Sequence, residues 1–296
     1  MKNTIIRATA AESSIRAFVA NTTNMVEKAR KLHNASPVAI AALGRTMTAT
    51  SIMGLMLKSE KHKLTVKING KGPLGSIVVV GNSLGNVKGY VANPQVASEF
   101  IIPGKLNVGK LVGKNGEITI IKDLGLKDPY VGTSPLVSGE IAEDFANYFL
   151  NSEQQPSAVA LGVLVDRDYS IKAAGGFIIQ IMPDISEEVL SQLEDRLSNL
   201  ESITTLMTKG MQEEDILNHV LGHFNPQILD RYEVDFLCDC NKNRFERALI
   251  SIGRKDLQEI MEEDGGAELV CHFCNKKHYF DKEELQKLIG EIDNNK

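Results

Sequence analysis

VDFLCDCNKNRFERALISIGRKDLQEIMEEDGGAELVCHFCNKKHYF, residues 234–280, holds every cysteine of the chain: Cys238, Cys240, Cys271 and Cys274. The pattern is C-x-C, a gap of 30 residues, then C-x-x-C. Four thiols in two tight pairs are the sequence form of a tetrahedral four-cysteine site, here for one Zn2+ per chain. Each pair supplies two sulfurs at about 2.3 Å from the metal. The C-x-x-C pair follows the strand-like AELV and precedes a second strand-like run, so it reads as a knuckle that points two sulfurs inward. The C-x-C pair is less common. In a regular strand residues two apart share a face but stand roughly 6.5 Å apart. The chain must therefore bend at Cys238 and Cys240 for both sulfurs to reach one ion.

Working outward, other uses of these residue types are weighed against the metal site. A structural zinc ribbon is the simplest reading of the spacing alone. A secreted disulfide framework calls for an export signal. A thioredoxin-like thiol enzyme calls for a βαβ pattern near C-x-x-C, whereas this one follows Gly265-Gly266 close to the C-terminus. His219 and His223 stand four apart, but no Glu follows the first as H-E-x-x-H requires, so a structural or surface role is expected. His272 and His278 are near the thiols in sequence, yet four cysteines already fill a tetrahedral ion.

The residues around the cysteines carry a resemblance. VDFLCDC and ELVCHFC at this separation, together with GTSPLVSGEIAEDFANYFLNSEQQPSAVALGVLV at 132–165 and AAGGFIIQIMP at 173–183, resemble the 33 kDa chaperonin family, redox-regulated holdases of the heat-shock class. The likeness runs nearly end to end. It departs at Asn241, where the family pattern has Ser, and this leaves the sulfur ligands intact. The resemblance implies an α+β architecture in three parts. An N-terminal mixed sheet-and-helix core domain, 1–182, would bind clients and dimerise. A metastable helical linker, 183–231, would follow, and then a small C-terminal zinc-binding redox-switch domain, 232–296. Also implied are disulfides Cys238–Cys240 and Cys271–Cys274 on oxidation, release of zinc, unfolding of the linker and a homodimer. Cys238 and Cys240 would close a ring so small that strain eases its re-reduction. The implied partners are unfolding client proteins held against aggregation without ATP and without catalytic turnover.

Composition agrees with this reading. The chain of 296 residues is 43% hydrophobic and 24% charged, enough for two globular domains. In MKNTIIRATA, Arg7 interrupts the apolar run before a secretory signal can form, so a cytoplasmic location is expected, with thiols kept reduced and zinc bound at rest. Residues 38–57 are the most membrane-like, but Arg45 and many small polar residues make them a core helix rather than a span. The net charge of −5 lies wholly in residues 232–296, which carry ten Lys and Arg against fifteen Asp and Glu. A zinc module gripping nucleic acid should be basic. Nucleic-acid binding is therefore a weaker alternative, and a zinc-containing thiol-disulfide oxidoreductase the stronger one. GKLVGKN has three residues between its glycines and Asn in place of Ser or Thr, so no phosphate loop and no nucleotide are expected.

The element pattern follows. Strands are expected at 5–9, 15–20, 64–69, 76–81, 87–92, 117–123, 158–165 and 171–181. Asn21 or Thr22 should cap a helix reaching about 33, Ser36-Pro37 a second reaching about 58, and Ser138 a third over 139–151. Met47, Met53 and Met56 read as core filler. The almost wholly apolar 158–165 predicts burial on both faces, and Gly175-Gly176 a bulge or close backbone approach. Residues 183–231 read as polar amphipathic helices without a strand, with stripes at Val189 or Leu190, Leu193, Leu197 and Leu200 and at Ile216, Leu217, Val220 and Leu221. Asp281 and Glu284 predict a capping box on a last helix.

Overall fold

A computed structural model describes residues 2–97, 100–102, 105–183 and 185–294, so Asp184 of the expected linker and the last two residues of the expected zinc domain lie outside the described residues. Two compact units result, Met1–Leu237 and Cys238–Lys296. The architecture is the expected α+β mixture.

In the first unit, β1 (Thr4–Ala10) and β2 (Ile15–Asn21) form a hairpin, followed by helices α1 (Thr23–His33) and α2 (Pro37–Leu55). Strands β3 (Lys63–Asn69), β4 (Ile77–Asn82) and β5 (Val87–Val91) come next, then a small ribbon of β6 (Phe100–Ile102) and β7 (Lys105–Leu106), and the short helix α3 (Val108–Val112). The chain continues through β8 (Glu117–Asp123), β9 (Tyr130–Pro135), α4 (Ala142–Asn151), β10 (Ser157–Val165) and β11 (Ile171–Ile181). Helices α5 (Glu187–Ser198), α6 (Ile203–Thr208) and α7 (Glu213–Leu221) precede β12 (Gln227–Glu233). Two antiparallel five-stranded sheets result, in the orders β10-β11-β2-β1-β12 and β5-β4-β3-β8-β9.

Helix α2 is the hub. Ser36 caps it by accepting the Ala39 N–H, and Pro37 opens it. It contacts β3, β4 and β5 of one sheet and β10 and β11 of the other. It is long and apolar enough to cross a membrane, yet it is buried along nearly its whole length. Met47 and Met53 are in the core, as expected of filler. The helix stops at Leu55, short of 58, where the Met56 N–H bonds back to the Met53 carbonyl.

Four local expectations need correction. Helix α4 is not capped by Ser138. Asp144, fully buried, accepts the N–H groups of Val137, Ser138, Gly139 and Ile141, so the carboxylate that ties the turn comes from inside the helix. Strand β9 is absent from the expected strands because Gly132 and Pro135 interrupt its pattern. Strand β10 is an edge strand whose side chains are mostly half-buried, not enclosed on both faces. Residues 227–233 form β12, not helix. Its side chains are largely exposed, so no apolar alternation marks it, and it exists because its backbone pairs with β1 at the sheet edge.

The helices of residues 183–231 lie on one face of the first sheet. Leu193, Ile203, Leu206, Ile216, Leu217, Val220, Leu221 and Phe224 share a buried cluster with Ile6, Ala8, Ile15, Ala17, Val19, Phe177 and Ile179. Polar contacts supplement this packing. The Thr4 hydroxyl donates to the buried Glu213 carboxylate, and Arg196 donates to the His219 and Val220 carbonyls at the end of α7. Helices of six to twelve residues are marginal alone in water, so their order rests on this face.

In the second unit, α8 (Lys242–Ile252) and α9 (Arg254–Glu263) meet at Gly253, whose φ of +96° suits glycine. The hairpin β13 (Gly266–Val270) and β14 (Lys277–Asp281) and helix α10 (Lys282–Asn294) complete it. Leu249, Leu257, Met261, Phe280, Leu285, Leu288 and Ile289 form its small core. The capping box is present: the Asp281 N–H donates to Glu284 and the Glu284 N–H to Asp281.

Candidate metal centre

The knuckle forms as its sequence suggests. Between β13 and β14 the chain turns tightly, the Cys271 N–H donating to the Lys276 carbonyl and the Asn275 N–H to the Cys271 carbonyl. Asn275 takes the left-handed conformation that closes such a turn, φ 56°. Cys238 and Cys240 lie in an irregular segment rather than a strand, which is the bend the C-x-C spacing requires. Directly after it, the Asn241 side chain accepts the Arg244 N–H and caps α8. Asn and Ser serve equally as N-caps, which gives the departure at this position a physical reading.

The structure brings the four sulfurs together, all within 4.8 Å of one another. Cys238 Sγ lies 3.7 Å from Cys271 Sγ, and Cys240 Sγ 3.4 Å from Cys274 Sγ. Sulfurs around a tetrahedral ion at the usual zinc–sulfur distance stand about 3.8 Å apart. The donor set therefore fits a thiophilic divalent ion. Cys271 is buried and the other three are half-buried. Among the described residues, no other group of histidines, cysteines or carboxylates comes together in this way.

The protonation pattern has a clear cause. Burial pushes the Cys238 thiol up to about 11, despite the Cys240 amide, and pushes Cys240 higher still, with neighbouring thiols reinforcing it. Burial acts the same way on Cys271, but the amides of Cys274 and Phe273 outweigh it and hold that thiol below its ordinary value. Adjacent anions repel, so a cluster of thiols resists carrying several negative charges at once. A divalent cation reverses that preference and displaces the protons.

The histidines fall outside the set. His219 and His223 are exposed, at the end of α7 and just after it, and His272 is exposed as well. His278 is buried with its ring 4.5 Å from that of Phe245, a packing role. Helices α8 and α9, which fill the gap between the cysteine pairs, are absent from the sequence expectations, although Phe245 and Leu249, then Leu257 and Met261, stand at helical spacing.

The residues just before Cys238 are pinned along β5. The Val87 N–H donates to the Asp235 carbonyl, the Leu237 N–H to the Val87 carbonyl, and Phe236 is buried. Strand β12 precedes this segment, and the helices on the sheet face precede β12.

Comparison with known proteins agrees with these features. The family model described as Hsp33 protein matches residues 3–281. A protein of Alkaliphilus metalliredigens named 33 kDa chaperonin is 69% identical over 292 residues, covering 99% of this chain and all of the relative. One of the same name from Clostridioides difficile is 54% identical, again over 99% of this chain and 100% of its own. The solved structure of the Thermotoga maritima 33 kDa chaperonin superimposes with a TM-score of 0.92 at 36% identity, covering 99% of this chain and all of that one.

Proposed function

Because the chain belongs to the Hsp33 family, we propose that it is a redox-gated, ATP-independent holdase, with Zn2+ on Cys238, Cys240, Cys271 and Cys274 as its restraint. The observation that carries this reading is the assembled set of four sulfurs, placed one residue after a segment that leads back through β12 to the helices on the apolar sheet face. When bound, zinc supplies folding free energy: structural sites contribute roughly 10–16 kcal/mol, as much as many whole domains. The sulfurs hold the knuckle to the C-x-C bend. Oxidation to Cys238–Cys240 and Cys271–Cys274 disulfides removes the thiolates and so the ion. The unit from Cys238 onward then rests on its small core alone.

The same reading assigns the client surface. Residues 183–231 act as a conditional cover, and its loosening uncovers Ile6, Ile15, Val19, Phe177 and Ile179. Large exposed apolar patches of this kind bind unfolding chains. Support comes from a groove of about 470 Å³ between α4 and α5, lined in part by Leu150, Leu190, Leu193 and Leu197, where the cover is already incomplete. The cytoplasm is the compartment in which reduced thiols and bound zinc form the resting state, and dimerisation of the oxidised form belongs to the same proposal.

One observation favours the rival thiol-disulfide oxidoreductase: the low thiol of Cys271. That residue is only 6% exposed, whereas reactive cysteines are accessible. Fluorescent thiol labelling of the zinc-loaded protein separates the two. Four slowly labelled cysteines are expected of the restraint; one cysteine labelled far faster than the rest points to the enzyme.

A further inference from the structure

We infer that Met207 is an oxidation site through which hydroperoxides loosen the linker independently of the cysteines. Helix α6 spans six residues and buries only Ile203 and Leu206. It lies close against β10 and β11 because Gly162 and Gly175, directly opposed in that strand pair, leave bare backbone beneath it. A Cβ at Gly162 would come within 2.7 Å of Thr204 Cγ2, and one at Gly175 within 3.0 Å of Met207 Sδ. Thr204 and Met207 are three apart, so one face of α6 rests on this platform. Met207 packs against the sheet cluster but is only partly buried, which leaves a small oxidant a way to its side chain.

The reaction is a two-electron oxygen transfer. A thioether lone pair attacks a hydroperoxide oxygen, the S–O bond forms as the O–O bond breaks, and with hydrogen peroxide the departing hydroxide gains a proton and leaves as water. Sulfur is oxidised to the sulfoxide and the peroxide is reduced. The product is polar and carries one more oxygen. Gly175 lies in an inner strand, paired with Gly162 on one side and Asn21 on the other, and Met207 packs against the apolar cluster of this sheet face, where a sulfoxide oxygen is costly to bury. The sulfoxide must therefore leave the sheet for water, and α6 loses the contact that holds its C-terminal end.

The test removes the cysteines from the outcome. The full-length zinc protein is treated with hydrogen peroxide, then with dithiothreitol and zinc, which restore the thiols and the metal but not methionine. Mass spectrometry should find one added oxygen on the peptide bearing Met207, and amide exchange in 203–208 should remain roughly tenfold faster than before treatment. Met207→Leu, taken through the same cycle, should return to its starting exchange rate, and treatment with methionine sulfoxide reductases should restore the wild type. Met207→Gln, a polar stand-in, should show fast exchange in 203–208 without any oxidant and with zinc bound. Met207 left unoxidised, or oxidised with 203–208 as protected as before, would overturn the inference. Either result would leave the metal restraint standing.

Discussion

Cys271→Ser should cost the reduced protein its tight metal and most of the structure of the unit beginning at Cys238. Cys271 is the most buried of the four sulfurs and holds the knuckle through both its N–H and its carbonyl. Groups that merely orient a metal ligand are worth about 10–100-fold in affinity, so loss of a direct ligand should cost at least about a hundredfold. The remaining core, seven buried side chains from Leu249 to Ile289, leaves a unit of this size marginal without the metal. Competition with a chromophoric chelator and helix content by circular dichroism read the two effects. The linker should loosen too, because Phe236 and β12 connect it to the lost restraint. A mutant as tightly metallated and as helical as the wild type would count against the four-sulfur site.

The second large effect is expected on the other side of the coupling. Leu221 is fully buried at the end of α7, among the side chains that seal the sheet face. Leu221→Ala removes apolar packing and leaves a cavity, at a cost of about 2–5 kcal/mol. If the cover is marginal, even 2 kcal/mol raises the released population about thirtyfold. The variant should therefore suppress client aggregation while reduced and fully zinc-bound, a state in which the proposed function expects no suppression from the wild type. Cys271→Ser and Leu221→Ala thus reach the same surface, one through the metal and one past it. A Leu221→Ala protein that stays inactive until oxidised would show that some other surface receives clients.

These effects concern features of unequal legibility. The C-x-C and C-x-x-C pairs, the Ser36-Pro37 start of α2 and the Asp281–Glu284 box could be read because each is a local signal spelled within a few residues. The stripe from Ile216 to Leu221 likewise announced a face that needed cover, and the sheet supplies it. What could not be read depends on distant partners. Nothing in QILDRYE says strand until the edge of β1 is present to pair with it. The exposure of β10 follows from its place at the edge of the sheet, which the run AVALGVLV does not encode. In sequence Asp144 is an ordinary first-turn acid, and its grip on four amides depends on the fold of the turn before it. Gly175 was legible as a site of close approach, but Gly162 opposite it and Met207 above it were not.

The most direct test follows three signals through one oxidation. The zinc-loaded Met207→Leu protein, in which the thioether route is closed, is treated with peroxide at mild heat while zinc release, helix content and suppression of client aggregation are recorded together. Zinc should leave first or with the loss of helix, and suppression should rise in step with both, then fall again on reduction with zinc present. Suppression that appears while the metal is still fully bound would contradict the claim that a sulfur-held ion restrains the linker.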